Sequence, residues 1–162
     1  MTFRVSAVQY HLHTISSFEE FAAECEHYIK TAEEFGAEFI LFPEFLTTQL
    51  MSIGDGQGNA LGIEDLPQFT DRYREMFSGF ARKYSVHIIG GTHVLRRNDK
   101  LYNVAHLFYP DGTIAEQAKL HITPAEVEGW NMGAGEGLQV FQTEKGTIAM
   151  LTCYDIEFPE IV

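Results

Sequence analysis

A cysteine, a glutamate and a lysine each lie at the end of a predicted strand. Side chains of these three types can act together in covalent catalysis. Cys153 directly follows the apolar run 147–152, Glu44 follows a short all-apolar run, and Lys119 ends a strand predicted over 113–120. A thiol can attack an electrophilic carbon, a carboxylate can take the thiol proton, and an ammonium can stabilise the resulting oxyanion. If these side chains meet, they supply a nucleophile, a general base and an oxyanion donor.

Each of the three residues has an ordinary explanation when it is considered alone. Cys153 fits a buried structural cysteine, Glu44 an exposed strand-terminal glutamate, and Lys119 a solvated charge. A segment with a helical pattern begins near Asp155, and a helix N-terminus beside Cys153 would favour its thiolate. Glu126, or alternatively another glutamate at position 128, is close enough in sequence to pair with Lys119.

The pattern of apolar residues predicts an α/β chain in which helices alternate with strands early and hairpins dominate late. Ser17 and Glu20 form a capping-box pattern at the start of the first helix. Predicted strands cover 3–12, 39–42, 86–94, 101–109, 113–120, 138–142 and 147–152, predicted helices cover 18–35 and 65–84, and long loops cover 47–63 and 121–137. In sheets with parallel strands, the C-terminal ends of the strands surround one crevice, so the three candidate residues are expected to converge there.

The composition excludes several classes of function. The chain has 162 residues and a formal net charge of −12, which disfavours nucleic-acid and anionic-membrane partners. No run approaches the ~18 apolar residues of a membrane span, and the N-terminus has no signal-peptide pattern. Two cysteines far apart in sequence fit reduced thiols, with Cys25 on the apolar stripe of the first helix, and the expected location is cytoplasmic.

Metal binding is the less favoured alternative class. The seven histidines include His11 and His13, which alternate along one predicted strand without a cysteine or carboxylate at ligand spacing. The other histidines are scattered through the chain. We therefore expect no metal site.

Three sequence blocks together resemble the signature blocks of the nitrilase superfamily of carbon–nitrogen hydrolases, in its amidase-like branch. The blocks are Phe42-Pro43-Glu44, the segment 119–126 (KLHITPAE) and the segment 153–160 (CYDIEFPE), and they occur in the family's order. The resemblance implies a four-layer α-β-β-α sandwich, incomplete at the C-terminus, with residues 1–162 as the N-terminal portion of the domain. It also implies a homodimer or larger homo-oligomer.

The resemblance further implies a Glu-Lys-Cys triad that hydrolyses a small linear amide through a cysteine thioester. Glu44 would match the general base, Lys119 the stabilising lysine and Cys153 the nucleophile. Glu126 would match an accessory glutamate, and the backbone N–H of Tyr154 would share the oxyanion with the lysine. No cofactor is implied.

Two alternatives to amide hydrolysis stay open. One is nitrile hydrolysis by the same triad, although Tyr154-Asp155 stands where nitrile-cleaving members usually carry Trp-Glu. The other is an inactive fragment or interaction module with an intact triad. Glu157, at a position where amidase-like members often carry arginine, leaves substrate preference and assembly undetermined.

Overall fold

The computed structural model describes residues 2–161 and contains a five-stranded mixed sheet in the order β1-β2-β3-β4-β5. The strands are β1 (Val5–Ala7), β2 (Phe39–Leu41), β3 (His87–Arg97), β4 (Lys100–Phe108) and β5 (Ile114–Ala118). The first three strands are parallel, and β4 and β5 are each antiparallel to the strand before them. Strands β2 and β5 therefore run in the same direction and end at the same edge of the sheet.

Two helices, α1 (Phe18–Glu34) and α2 (Thr70–Tyr84), cover one face of the sheet. The side chain of Ser17 caps α1 by accepting a hydrogen bond from the Glu20 N–H at 3.2 Å, as the sequence predicts. The main apolar core lies between these helices and the sheet, and its buried members include Phe21, Cys25, Ile29, Ile40, Tyr73, Phe77, Ile88 and Phe108. The predicted packing of Cys25 in the core is therefore confirmed.

The opposite face of the sheet is covered in part by an antiparallel hairpin of β6 (Val140–Thr143) and β7 (Gly146–Ala149). A second apolar cluster joins the hairpin to β4, with Ala105, Leu107, Phe141 and Met150 as its buried members. The mixed α/β class is confirmed, and the hairpin adds a second β layer on the side away from the helices.

The first and last predicted strands are shorter than expected. Strand β1 pairs with β2 only over three residues rather than along 3–12. Strand β2 ends before Pro43, whose nitrogen has no hydrogen to donate, so it cannot extend the ladder. Strand β7 ends at Ala149 because the Thr152 N–H turns to donate to the Asp155 carboxylate at 3.0 Å.

The two predicted loops both contain helices. Residues Leu46–Ile53 and Ile63–Phe69 form 3₁₀ helices, and the first of these buries apolar side chains in the main core. Pro67 lies in the second 3₁₀ helix, so the helix predicted over 65–84 becomes a 3₁₀ segment followed by α2. The second loop contains α3 (Pro124–Trp130), and the described part of the chain ends in 3₁₀ helices Cys153–Glu157 and Pro159–Ile161.

Candidate active site

Glu44 lies in the turn directly after β2 and is fixed on both sides by β3. The Phe42 N–H donates to the Ile89 carbonyl at 2.9 Å, and the Phe45 N–H donates to Thr92 Oγ1 at 2.7 Å. The side chain of Glu44 is 24% exposed. These anchors hold the carboxylate at the edge of the sheet while leaving one side of it open.

A glycine in β3 allows this turn to approach the sheet closely. The pairing of β3 with β4 shifts register between Ile89 and Thr92, and Gly91 lies in this bulge with φ of +69°. A Cβ at position 91 would collide with the Pro43 carbonyl oxygen. The position therefore needs glycine both for its left-handed backbone and for the space that the Glu44 turn occupies.

Lys119 directly follows β5 and is 2% exposed. Its N–H donates to the Asn103 carbonyl at 2.9 Å, and its own carbonyl accepts from the Gly135 N–H at 2.8 Å. The ammonium donates to Glu44 Oε1 at 2.9 Å and to Glu126 Oε1 and Oε2 at 3.0 and 2.9 Å. One buried cation thus joins two carboxylates that come from different parts of the chain.

Glu126 takes part in two sets of hydrogen bonds, because its carboxylate contacts Lys119 and also caps the start of α3. The Thr123 N–H and hydroxyl both donate to Glu126 Oε2, at 2.9 and 2.8 Å. The Glu126 N–H donates back to the Thr123 hydroxyl at 3.4 Å, which completes a capping box. The first turn of α3 therefore fixes the carboxylate that faces Lys119.

The charges of Lys119 and Glu126 stabilise each other. Burial lowers the pKa of Lys119, but hydrogen bonds to Glu126 and Glu44 outweigh burial and raise the pKa above its usual range. Burial raises the pKa of Glu126, but hydrogen bonds from Lys119 and Thr123 outweigh it, so the pKa lies below its usual range. The pair therefore remains ionised near neutral pH.

Cys153 begins the 3₁₀ helix that follows β7 and has φ of +49°, a left-handed backbone rare for a residue with a side chain. The side chain of Cys153 is exposed. Cys153 and Glu44 line the same cavity, of about 420 Å³, between the sheet and the β7 segment. Apolar side chains form most of the remaining wall, including Phe39, Leu41, Ile89, Ala105, Ile148 and Met150.

The expectation that Cys153 is stabilised as a thiolate is wrong. Burial raises its pKa, and the negative charge of Glu44 raises it further, although Lys119 acts in the opposite sense. The 3₁₀ helix has only five residues, so its dipole is weak compared with a neighbouring carboxylate. The resting group is therefore a thiol, whose proton must pass to a base when the sulfur attacks.

Asp155 ties the Cys153 turn to the segment after Lys119. It is fully buried, and its Oδ1 accepts from the N–H groups of Leu120 and His121, at 3.1 and 2.7 Å, while its Oδ2 accepts from the Thr152 N–H at 3.0 Å. The two chain segments that carry the thiol and the ammonium are thereby linked through one carboxylate.

The structure brings the predicted site residues together. Glu44, Lys119 and Glu126 form one hydrogen-bonded group, and Cys153 lines the same cavity as Glu44. Lys119 lies behind Glu44 and does not line the cavity. Of the two candidate partners of Lys119, Glu126 makes the contact and the glutamate at 128 is exposed.

Sequence reasoning missed Asn103 and Asp155. The Asn103 amide donates to Glu44 Oε1 at 2.8 Å and to Glu126 Oε1 at 3.3 Å. Asn103 lies in mid-strand, where no local pattern marks it. Asp155 stands three residues after Thr152, a capping-box spacing that could have marked it as the residue closing this turn.

No group of three or more histidine, cysteine, aspartate or glutamate side chains within residues 2–161 has an arrangement that could hold a metal ion. None of the helices in this part of the chain is long and apolar enough to cross a membrane.

A thiol beside a carboxylate, with a buried ammonium behind them, has the parts that covalent acyl transfer requires. The sequence matches the carbon–nitrogen hydrolase family over residues 4–162, and the chain belongs to that family.

Particular relatives share this match. "Probable hydrolase YhcX" of Bacillus subtilis (strain 168) is 45% identical over 158 residues, which cover 98% of this chain and 31% of the relative. "Omega-amidase NIT2" of Xenopus tropicalis is 27% identical over 171 residues, covering 98% of this chain and 57% of the relative. The chain thus spans less than two thirds of either protein.

The fold also matches solved structures. Nit3 of Saccharomyces cerevisiae, a member of branch 10 of the nitrilase superfamily, superposes with a TM-score of 0.77 at 20% sequence identity. The match covers 98% of this chain and 58% of the Nit3 chain. The predicted nitrilase-like fold is confirmed.

Proposed function

We propose that the protein hydrolyses a linear amide to a carboxylic acid and ammonia through a cysteine thioester. The observation that carries the proposal is the hydrogen-bonded group in which Lys119 joins Glu44 to Glu126, with Cys153 beside Glu44 in an open cavity. The amidase named among the relatives supports an amide rather than a nitrile as the substrate.

In the first half-reaction, Glu44 takes the proton of the Cys153 thiol as the sulfur bonds to the amide carbon. The carbonyl oxygen becomes an oxyanion, which the Tyr154 N–H stabilises by donating a hydrogen bond and the buried charge of Lys119 stabilises from behind Glu44. The intermediate collapses when the carbon–nitrogen bond breaks and Glu44 gives its proton to the leaving nitrogen. Ammonia leaves, and a thioester remains on Cys153.

In the second half-reaction, water takes the place of ammonia. Glu44 accepts a proton from the water as its oxygen bonds to the thioester carbon. The carbon–sulfur bond then breaks, the sulfur takes the proton back from Glu44, and the carboxylic acid leaves. The raised pKa of Cys153 suits this scheme, because the sulfur is a good nucleophile only while Glu44 holds its proton.

The apolar cavity wall favours a substrate with a short uncharged acyl chain. Its lining includes the polar side chains of Glu44 and Thr92 beside Cys153, together with the apolar side chains of Phe3, Val5 and Phe39. An acyl chain bound in this cavity would therefore contact mainly carbon atoms. A protein with a net charge of −12 also disfavours anionic substrates at long range.

The test is ammonia release from acetamide, propionamide and butyramide, compared with the corresponding nitriles. We expect release from the amides, its loss in Cys153→Ala and Glu44→Gln, and full retention in the matched controls Cys25→Ala and Glu128→Gln. Cys25 is buried in the core and Glu128 is exposed, so neither control touches the cavity. Turnover of nitriles alone, or amide turnover that survives Cys153→Ala, would refute the proposal.

A further inference from the structure

We propose that Asn103 is a positioning residue that selects which oxygen of Glu44 acts as the base. The inference rests on the proposed function, since it concerns the same Glu44. Asn103 lies in β4, opposite Val94 of β3, and is fully buried. Its amide nitrogen donates to Glu44 Oε1 at 2.8 Å and to Glu126 Oε1 at 3.3 Å.

The orientation of the Asn103 amide is fixed by its surroundings. Two carboxylate oxygens can only accept hydrogen bonds, so the amide NH₂ must face them and the oxygen must point away. That oxygen, Oδ1, is buried and has no hydrogen-bond partner among residues 2–161. A buried acceptor left without a partner is unfavourable, so the hydrogen bonds that the amide nitrogen makes with the two glutamates must outweigh this cost.

Both donors to Glu44 reach the same oxygen. Asn103 Nδ2 and Lys119 Nζ each donate to Oε1, at 2.8 and 2.9 Å, and neither of them is hydrogen-bonded to Oε2. Two donors on one oxygen define the rotation of the carboxylate. The remaining oxygen is then free to take a proton from the thiol or from water.

A neutral donor is better suited to this position than a second cation. The group around Asn103 contains two carboxylates and one ammonium, so it carries one net negative charge while the neighbouring Cys153 is a thiol. A second cation would neutralise the base that must accept a proton. The amide adds hydrogen bonds that stabilise the ionised carboxylates and cannot itself titrate near neutral pH.

Asn103 also connects the side-chain group to the backbone. Its carbonyl accepts the Lys119 N–H at 2.9 Å, so one residue contacts Lys119 through the main chain and both glutamates through the side chain. The charged and titratable groups that face Glu44 and Glu126 are Lys119 and Cys153. Movement of β4 against β5 would therefore misplace the ammonium and the base together.

The test measures how the alkylation rate of Cys153 by iodoacetamide depends on pH, with each cysteine followed separately by peptide mass spectrometry. The variants are Asn103→Leu, which removes the donor, and Asn103→Asp, which keeps the shape and adds a carboxylate. Gln117→Leu is the matched control, because Gln117 is a buried amide on the neighbouring strand whose partners are the Ala118 and Gly137 carbonyls and the Gln139 N–H. Thermal melting confirms that each variant is folded.

Loss of the Asn103 donor should shift the acid limb of the pH–rate profile for Cys153 alkylation to higher pH by about one to two units. The alkylation rate at pH 6 should fall by about tenfold or more. The shift should be larger in Asn103→Asp, because a third carboxylate disfavours ionisation of the other two. Gln117→Leu should keep the wild-type profile even if its melting temperature falls.

The outcomes distinguish the two proposals. If Glu44→Gln lowers the alkylation rate but both Asn103 variants follow the Gln117→Leu profile, the positioning role is refuted and the proposed function stands. If Glu44→Gln leaves the rate of Cys153 unchanged, the proposed function fails, and the role of Asn103 fails with it.

Discussion

Replacement of Lys119 by methionine tests the buried ionic group directly. The methionine keeps much of the length of the side chain but removes the positive charge that pairs with Glu44 and Glu126 within residues 2–161. Lys119 and Glu126 have side chains 2% and 5% exposed, and Glu44 is 24% exposed. Removal of one partner from a buried ion pair costs about 3–5 kcal/mol, because the remaining charge stays desolvated. We expect a loss near the lower end of this range, since water reaches one side of Glu44.

The cost of Lys119→Met should depend on pH in a defined direction. The raised pKa of Lys119 gives stability below its unfolded value of 10.5, which is lost as pH rises through the folded pKa. The lowered pKa of Glu126 gives stability above 4.5, which is lost as pH falls through its folded pKa. The difference between wild type and variant should therefore be largest between about pH 4.5 and 10.5 and should shrink on either side.

Urea denaturation followed by far-UV circular dichroism measures this difference. Lys145→Met is the matched control, because Lys145 pairs with Glu38 at the surface, where an ion pair contributes little. We expect the control to leave the unfolding free energy nearly unchanged at every pH. If Lys119→Met were as stable as Lys145→Met at pH 7, or if its deficit grew on acidification, the account of the buried group would be refuted.

Two further predictions follow from buried polar contacts. Burial lowers the pKa of His93 from 6.5 to about 3. Between these two pH values His93 is therefore protonated in the unfolded chain and neutral in the folded chain. Between pH 8 and pH 5 this proton should lower the wild-type unfolding free energy by about 2 kcal/mol, and His93→Gln should abolish that part of the slope in urea titrations. Asp155→Asn should destabilise the protein by about 1–3 kcal/mol and slow Cys153 alkylation. The reason is that the NH₂ group of asparagine would face one of the backbone N–H groups that now donate to the Asp155 carboxylate. If His93→Gln kept the wild-type dependence of unfolding free energy on pH, the prediction for His93 would be contradicted. If Asp155→Asn kept the wild-type rate of Cys153 alkylation, the prediction for Asp155 would be contradicted.

Local patterns in the sequence predict the elements that pack against the main core. The apolar stripe and the Ser17 cap place α1 correctly, since both signals are contained within the helix itself. The limits of β1 could not be predicted, because they depend on the length of β2 and on the proline that ends it. Helix α3 could have been predicted, since Thr123-Pro124 followed by Glu126 is a capping box with proline at the first helical position.

Glu44, Lys119 and Cys153 could be singled out in the sequence because each of them follows a predicted strand, and Glu126 because it is close to Lys119 in sequence. Asn103 could not be found in this way, because its role depends on the register that places β4 beside β3 and β5. The state of Cys153 was wrongly predicted for a similar reason. The nearby helix start is visible in the sequence, whereas the carboxylate of Glu44, distant in the chain, is brought beside the thiol only by the fold.

The most direct measurement of the central claim is the mass of Cys153 during turnover. The protein is mixed with butyramide, quenched in acid within the first turnovers, digested and analysed by mass spectrometry. We expect the peptide containing Cys153 to gain the mass of a butyryl group that hydroxylamine removes, and we expect Glu44→Gln to abolish this adduct. Amide hydrolysis with no acyl group on Cys153, or with the group on Cys25, would contradict the central claim.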